Sequence, residues 1–283
     1  MPTQLAALPQ KALGARDLVI APVLAAGTRV RVSGVVPSLL DARSALISRH
    51  LTVGCSTGYM VDARGDWPGL VERSAATSTL AVELSALSEN ELPGLIDFLG
   101  SDPSMPFHYV SVHAPSKGLA LAEQERVRLL TQLPPRVRAI VVHPDLLEDL
   151  DAWQPVGRRL VIENMDDRKS SGQTADQLVP LFDALPLAGL CFDIAHAKHV
   201  DPSLEEGRAL LDRFADRLRH VHLSSLDQDG HHVPLTGEDE ELFTVLLQRC
   251  RDVPWVLEAP LRARSRRRLR ALSGRARIPR PPG

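Results

Sequence analysis

Six short apolar runs along this chain each end in a side chain able to bind a metal ion, and they recur about every 20 to 36 residues. They read HYVSVHAP with His113, AIVVHPD with His143, RLVIENMD with Glu163, GLCFDIAHA with Asp193 and His196, LRHVHLSS with His222, and PWVLEAP with Glu258. A parallel strand covered on both faces is written as a nearly continuous apolar run rich in β-branched residues. In a barrel enzyme, the carboxyl end of such a strand is where the chemistry sits. Six endings of this kind in one order predict strands converging on a single site.

Two further runs, LTVGCSTG at 51–58 and TLAVELSAL at 79–87, precede the six and make eight. The stretches between them, such as WPGLVERSAA, LAEQERVRLLTQL, TADQLVPLFDAL and DEELFTVLLQRC, carry apolar residues at helical spacing. Ser88, Thr174 and Ser203 suit helix N-caps. Strands alternating with helices imply a parallel sheet with right-handed crossovers. Eight such units predict a closed (β/α)8 TIM barrel over 51–262, and 283 residues suffice for one, since such a barrel takes about 250. Residues 1–50 read as an N-terminal extension with a short hairpin at RVRVSGVV, and 263–283 as a basic tail.

Composition narrows the function. An apolar fraction of 44% supplies a core, and a net charge of −2 gives no global attraction for nucleic acid or an anionic membrane. Cys55, Cys191 and Cys250 are odd in number and widely spaced, so they form neither a disulfide framework nor a zinc knuckle. No apolar run approaches the roughly 18 residues of a membrane span. The expectation is a soluble cytoplasmic protein with no membrane partner.

The candidate site follows from the strand ends. Glu163, Asp193, His222 and Glu258 close four successive runs, so in a barrel they stand on adjacent staves. Each alone reads more simply as a capping or salt-bridging group. Together they predict a cation, because burying three uncompensated carboxylates is very costly without one. Mixed carboxylates and imidazoles suit zinc or manganese. His196 lies three residues past Asp193, while His113 and His143 end consecutive runs and are both soon followed by proline. In the loop SSLDQDGHHVPLTGED, Asp229 and His231 form a D-x-H pair that either faces an ion or belongs to an exposed Asp-Gly turn. Glu83, Lys117, Arg168, Lys169 and Lys198 are candidates to hold substrate at the mouth, the cations by gripping a phosphate.

As an ordered set, VSVHAP, VVHP, VIEN, FDIAHA, HVHLSS, the D-G-H-H loop and VLEAP resemble the xylose-isomerase-like barrel superfamily, which includes sugar isomerases, sugar epimerases and endonuclease IV. The resemblance covers about residues 51–260. One branch implies a single divalent ion on Glu163, Asp193, His222 and Glu258, with Glu163 and Glu258 as catalytic base and acid, His196 as a substrate contact, and a small sugar or sugar phosphate as substrate. The other implies a trinuclear zinc cluster on His113, His143, Glu163, Asp193, His196, His222, Asp229, His231 and Glu258, and phosphoester hydrolysis. The two branches together call for one to three zinc or manganese ions.

Ligand number favours the second branch, whereas acidic residues predicted around the mouth (Glu89, Glu91, Asp145, Glu148, Asp149, and Glu238 to Glu241) disfavour duplex DNA as a substrate. The sequence reading therefore places a metal-dependent sugar isomerase or epimerase first. An endonuclease IV-like phosphoesterase comes second, and a barrel that keeps its metal only for structure or sensing comes last.

Overall fold

A computed structural model describes residues 51–260 of the chain. The hairpin expected at RVRVSGVV and the basic tail both lie outside these residues. Eight parallel strands alternate with helices. The strands are β1 (Val53–Ser56), β2 (Ala81–Ser85), β3 (Tyr109–His113), β4 (Val137–Val142), β5 (Leu160–Glu163), β6 (Gly189–Asp193), β7 (Leu218–Leu223) and β8 (Trp255–Leu257). They pair in chain order, and β8 closes onto β1 through Val53–Trp255, Gly54–Val256 and Cys55–Leu257. The fold is a closed (β/α)8 barrel, as the periodicity predicts.

The helices cover the outside: α1 (Trp67–Ala75), α2 (Leu92–Gly100), α3 (Glu123–Thr131), α4 (Leu150–Trp153), α5 (Ala175–Ala184), α6 (Ile194–Val200), α7 (Glu205–Arg213) and α8 (Gly237–Leu247). Two of the expected caps hold them. The Thr174 side chain accepts from the Gln177 amide while Gln177 reaches back, and Ser88 and Glu91 form the same reciprocal box ahead of α2. Ser203 does not cap α7. The N-cap is Leu204, turned to φ 61°, while the Ser203 hydroxyl donates to Asp201 and accepts the Glu205 amide at 3.4 Å. Sequence periodicity gives no sign of α6, a helix that starts directly at the end of β6 and is capped by Asp193 itself.

Two apolar layers result. The larger lies between strands and helices, with Leu84, Leu95, Ile140, Phe182, Phe192 and Phe243 among its buried members. The smaller fills the barrel interior and consists of Ala139, Val141, Val161 and Cys191, with Tyr109 against it. Barrel interiors of this type are normally filled by branched apolar side chains. Here the interior positions above that small cluster are instead polar, with Ser56, Glu83, Ser85, Ser111, His220 and His222 all buried. Successive residues of a strand face opposite ways, so His220 and His222 point inward together, as do Cys191 and Asp193. Among the described residues, no helix is long and apolar enough to cross a membrane.

Candidate metal centre

At the carboxyl ends of β3 to β8 the structure gathers three adjoining donor groups. His113, His143 and Glu163 form one, Glu163, Asp193, His222 and Glu258 a second, and Asp193, His196 and His232 a third. Within each, one ligand atom per residue lies within 4.8 Å of the others. The groups are chained because Glu163 belongs to the first two and Asp193 to the last two.

Glu163 is the hub. Its Oε2 stands 3.4 Å from His113 Nε2 and 3.5 Å from His143 Nε2, while its Oε1 is 2.9 Å from His222 Nδ1 and 3.7 Å from His196 Nδ1. Glu258 closes the far side, 3.3 Å from His222 Nδ1 through Oε1 and 3.3 Å from His232 Nδ1 through Oε2. Backbone carbonyls fix two of the imidazoles. His113 Nδ1 donates to the Ala114 carbonyl at 2.8 Å and His196 Nδ1 to that of Asn164 at 3.0 Å, leaving each Nε2 with its lone pair in the pocket. Asn164 also bridges two staves, donating to the Asp193 carbonyl and accepting from the Asp193 amide, both at 2.8 Å.

The electrostatics are those of a site built around positive charge. Burial works against ionising Glu163, yet the His222 and His113 imidazoles hold its carboxyl well below the usual range. Burial, together with Asp193 and Glu163 nearby, pushes Glu258 well above it. Burial and the neighbouring His113 keep His143 well below an ordinary histidine, and burial brings His232 down to about 4. Glu163 Oε2, Asp193 Oδ2, Glu258 Oε2 and His143 Nδ1 are buried and make no hydrogen bond. Orphaned carboxylate oxygens facing imidazoles in a dry pocket fit divalent cations and match nothing a purely apolar core would keep.

Among the nine residues picked from sequence as ligands, seven converge here: His113, His143, Glu163, Asp193, His196, His222 and Glu258. Asp229 and His231 do not join them. They cluster with Asp227 and are exposed, the His231 side chain at 75%. The cause is a tight turn. Asp227 Oδ1 accepts from the amides of Asp229 and His231, and Gly230 sits at φ 74°. The ribbon leaving that turn pairs His232–Val233 with Ser225–Leu226, and in extended chain neighbouring side chains face opposite ways. His231 therefore faces out and His232 faces in, its Nδ1 held 2.7 Å from the Ser224 hydroxyl. His232 occupies the place that the D-x-H reading gives to His231.

The expected substrate contacts are also redistributed. Glu83 is fully buried inside the barrel, 3.2 Å from His222 Nε2. Arg168 is paired with Asp166 and donates to the Asp229 carbonyl at 3.0 Å, Lys169 pairs with Asp145 at 2.8 Å, and Lys198 pairs with Asp239. Lys117 is exposed in the loop after β3. Several acids expected to face the mouth do structural work. Glu89 accepts the Leu121 amide at 2.8 Å, Glu91 binds Arg64, and Asp149 caps α4. Asp166 is not marked by any sequence pattern, yet it is buried with Oδ2 3.7 Å from His196 Nε2.

A family model described as xylose isomerase-like TIM barrel matches residues 144–274. The class that the fold defines is the (β/α)8 TIM barrel, and this match, over less than half of the chain, is a likeness to one family of such barrels. Solved structures of similar fold include 3-keto-D-glucoside 4-epimerase from E. coli, 14% identical over 78% of this chain and 98% of that one, with a TM-score of 0.50. Endonuclease IV from Thermus thermophilus is 23% identical over 74% of this chain and 94% of that one, with a TM-score of 0.49. A D-psicose 3-epimerase is 13% identical over 74% and 84%, with a TM-score of 0.45. No curated protein matches the chain.

Proposed function

We propose that this barrel hydrolyses a phosphoester at a multinuclear divalent-metal centre held by His113, His143, Glu163, Asp193, His196, His222, His232 and Glu258. One observation carries the reading: eight donor side chains fall into three chained groups sharing Glu163 and Asp193. A single zinc ion takes about four ligands, so eight donors exceed what one ion can use. When bound, such ions acidify water and neutralise phosphoryl oxygens.

The chain's own residues supply the rest. Glu163 presents one oxygen to the His113–His143 side and the other to His222, which suits a bridging carboxylate. The carbonyls of Ala114 and Asn164 hold two imidazoles in the tautomer that leaves Nε2 open. Asn164 locks β5 to β6, so the shared carboxylates keep their spacing. At the rim, Lys117 is exposed after β3 and able to receive an anionic substrate. Arg168, Lys169 and Lys198 are already neutralised by carboxylates. That favours a small or single-stranded phosphoester over a duplex, whose grip needs a strip of unpaired cations.

The sequence reading places a sugar isomerase or epimerase first, and one observation still favours it. Glu163 and Glu258 both flank His222, as an acid–base pair acting on a chelated sugar would. The discriminating experiment assays zinc- and manganese-loaded protein on bis(p-nitrophenyl) phosphate, p-nitrophenyl phosphate, sugar phosphates and ketoses. Nitrophenolate release that disappears in Glu163→Gln is the expected result. Epimerisation of a ketose without any phosphoester cleavage would overturn the proposal in favour of the isomerase.

A further inference from the structure

Beneath the mouth, the barrel interior carries a second convergence of donors that the metal-centre reading does not use. Cys191, His220 and His222 form a fully buried group whose ligand atoms lie within 4.8 Å of one another. Glu83 approaches the two histidines from β2, and its Oε2 also accepts from the Ser111 hydroxyl at 3.2 Å. Its Oε2 is 3.2 Å from His222 Nε2 and 3.6 Å from His220 Nε2, and the two histidine Nε2 atoms are themselves 3.2 Å apart. Four donors placed tetrahedrally around zinc, with bonds of about 2.0 to 2.3 Å, stand roughly 3.3 to 3.7 Å apart. Of the three nitrogen and oxygen edges, that of 3.6 Å falls in this range and the two of 3.2 Å lie just below it.

Two independent features point the same way. Glu83 Oε1 is buried and makes no hydrogen bond, in a residue with no solvent exposure at all. On the other side of His220, Nδ1 lies 2.9 Å from the Tyr109 hydroxyl. That is the outer contact which orients a metal-binding imidazole and leaves Nε2 as the ligand atom. Protons alone satisfy the cluster poorly. His222 Nε2 faces both His220 Nε2 and Glu83 Oε2, and one ring nitrogen can donate to only one of them.

We propose that Cys191 Sγ, His220 Nε2, His222 Nε2 and Glu83 form a further zinc-type site inside the barrel, joined to the mouth by the His222 ring. The proposal goes beyond the phosphoesterase reading and stands whether or not that reading does. His222 turns Nδ1 to Glu163 and Glu258 and Nε2 to the interior, so one imidazole spans both layers. Loading this site alone releases the Cys191 thiol proton, and thiolate, carboxylate, two neutral imidazoles and a divalent ion then sum to zero charge; when a mouth ion also takes His222 Nδ1, the ring releases its remaining proton to solvent and bridges the two sites as an imidazolate. Neutrality is what a fully buried site requires. A thiolate donor selects zinc or cobalt over magnesium or calcium. The other two cysteines are elsewhere: Cys55 contacts Ser74, Tyr59 and Thr77, and Cys250 donates to the Leu246 carbonyl. A sulfur ligand thus reports on Cys191 alone.

The test loads the full-length protein with cobalt(II) and records its near-ultraviolet spectrum. A thiolate-to-cobalt charge-transfer band is expected, absent in Cys191→Ser and in His220→Ala but retained in His143→Ala, which alters only the mouth. X-ray absorption at the zinc edge of the unmutated, zinc-loaded protein tests the same point without relying on a variant folding. It should contain a sulfur shell at about 2.3 Å. A saturated protein with no sulfur shell and no charge-transfer band, or a band that survives in Cys191→Ser, would overturn the proposal.

Discussion

The rim of this barrel is divided into two unlike arcs. From β3 to β8, strand ends carry imidazoles and carboxylates: His113, His143, Glu163, Asp193, His222 and Glu258. From β1 to β2 the corresponding inward positions carry hydroxyls. Ser56 and Ser85 bond each other at 2.8 Å, and the Thr57 hydroxyl accepts the Ser85 amide at 2.8 Å. The hydroxyl arc is internally satisfied, because each group there finds a neutral partner. The ionisable arc is not, and its leftover carboxylate oxygens are where a cation is called for. The same strand geometry therefore yields a closed wall on one side and a rim of unpaired donors on the other, and side-chain chemistry alone makes the difference.

The sharpest way to break this contrast is to change the hub. Glu163→Gln should replace one of the two oxygens shared by two donor groups with an amide NH2 and remove the negative charge, lowering bound metal by more than one equivalent and activity by well over about 100-fold, since even outer contacts of a metal site cost about 10- to 100-fold. Metal analysis beside a hydrolysis assay measures both. The next largest effect separates two adjacent histidines. His232→Ala should lose metal from the third donor group and cost roughly 100-fold in activity, whereas His231→Ala should leave both within about twofold. Equal losses in the two variants would return the D-x-H pair to the site.

Asn164→Ala removes two buried hydrogen bonds between β5 and β6 and should destabilise the fold by about 2 to 3 kcal/mol. Chemical denaturation measures this, and metal affinity should fall alongside. On the hydroxyl arc, Ser85→Ala should cost only about 1 kcal/mol and leave metal content untouched.

The smallest effect is a pH dependence away from both arcs. Burial of the Asp239 carboxyl opposes its ionisation, but Lys198, Ser225 and Thr236 hold it below the ordinary range. A depressed folded-state value stabilises the protein above the unfolded value of about 3.9, and that stability is lost as pH falls through the folded value. Asp239→Asn should therefore melt below the parent at pH 7, by no more than about 1 kcal/mol because Lys198 is partly exposed, and the gap should narrow toward pH 3.

Much of this molecule is legible in its sequence because parallel strands buried on both faces write themselves as apolar runs, and their polar last residues mark the rim. The candidate donors of β3 to β8 follow from that rule. His220 and Cys191 carry the same signal in weaker form, each lying two residues before a rim ligand and hence on its face. His232 is hidden because a turn decides which of two adjacent histidines faces inward, and that turn depends on Asp227 and the φ of Gly230. Asp166 and the capped helix α6 give no periodic signal. Glu83 looks like a mouth residue because strand ends do not reveal depth, and its register against Ser111 sets it one layer down.

The central claim is that the ionisable arc holds more than one ion. Counting zinc by mass spectrometry in reloaded Cys191→Ser protein, where the interior site is removed and only the mouth contributes, tests it most directly. Two to three equivalents per chain, falling by more than one in the added presence of Glu163→Gln, are predicted. A single equivalent, or none, would contradict the account.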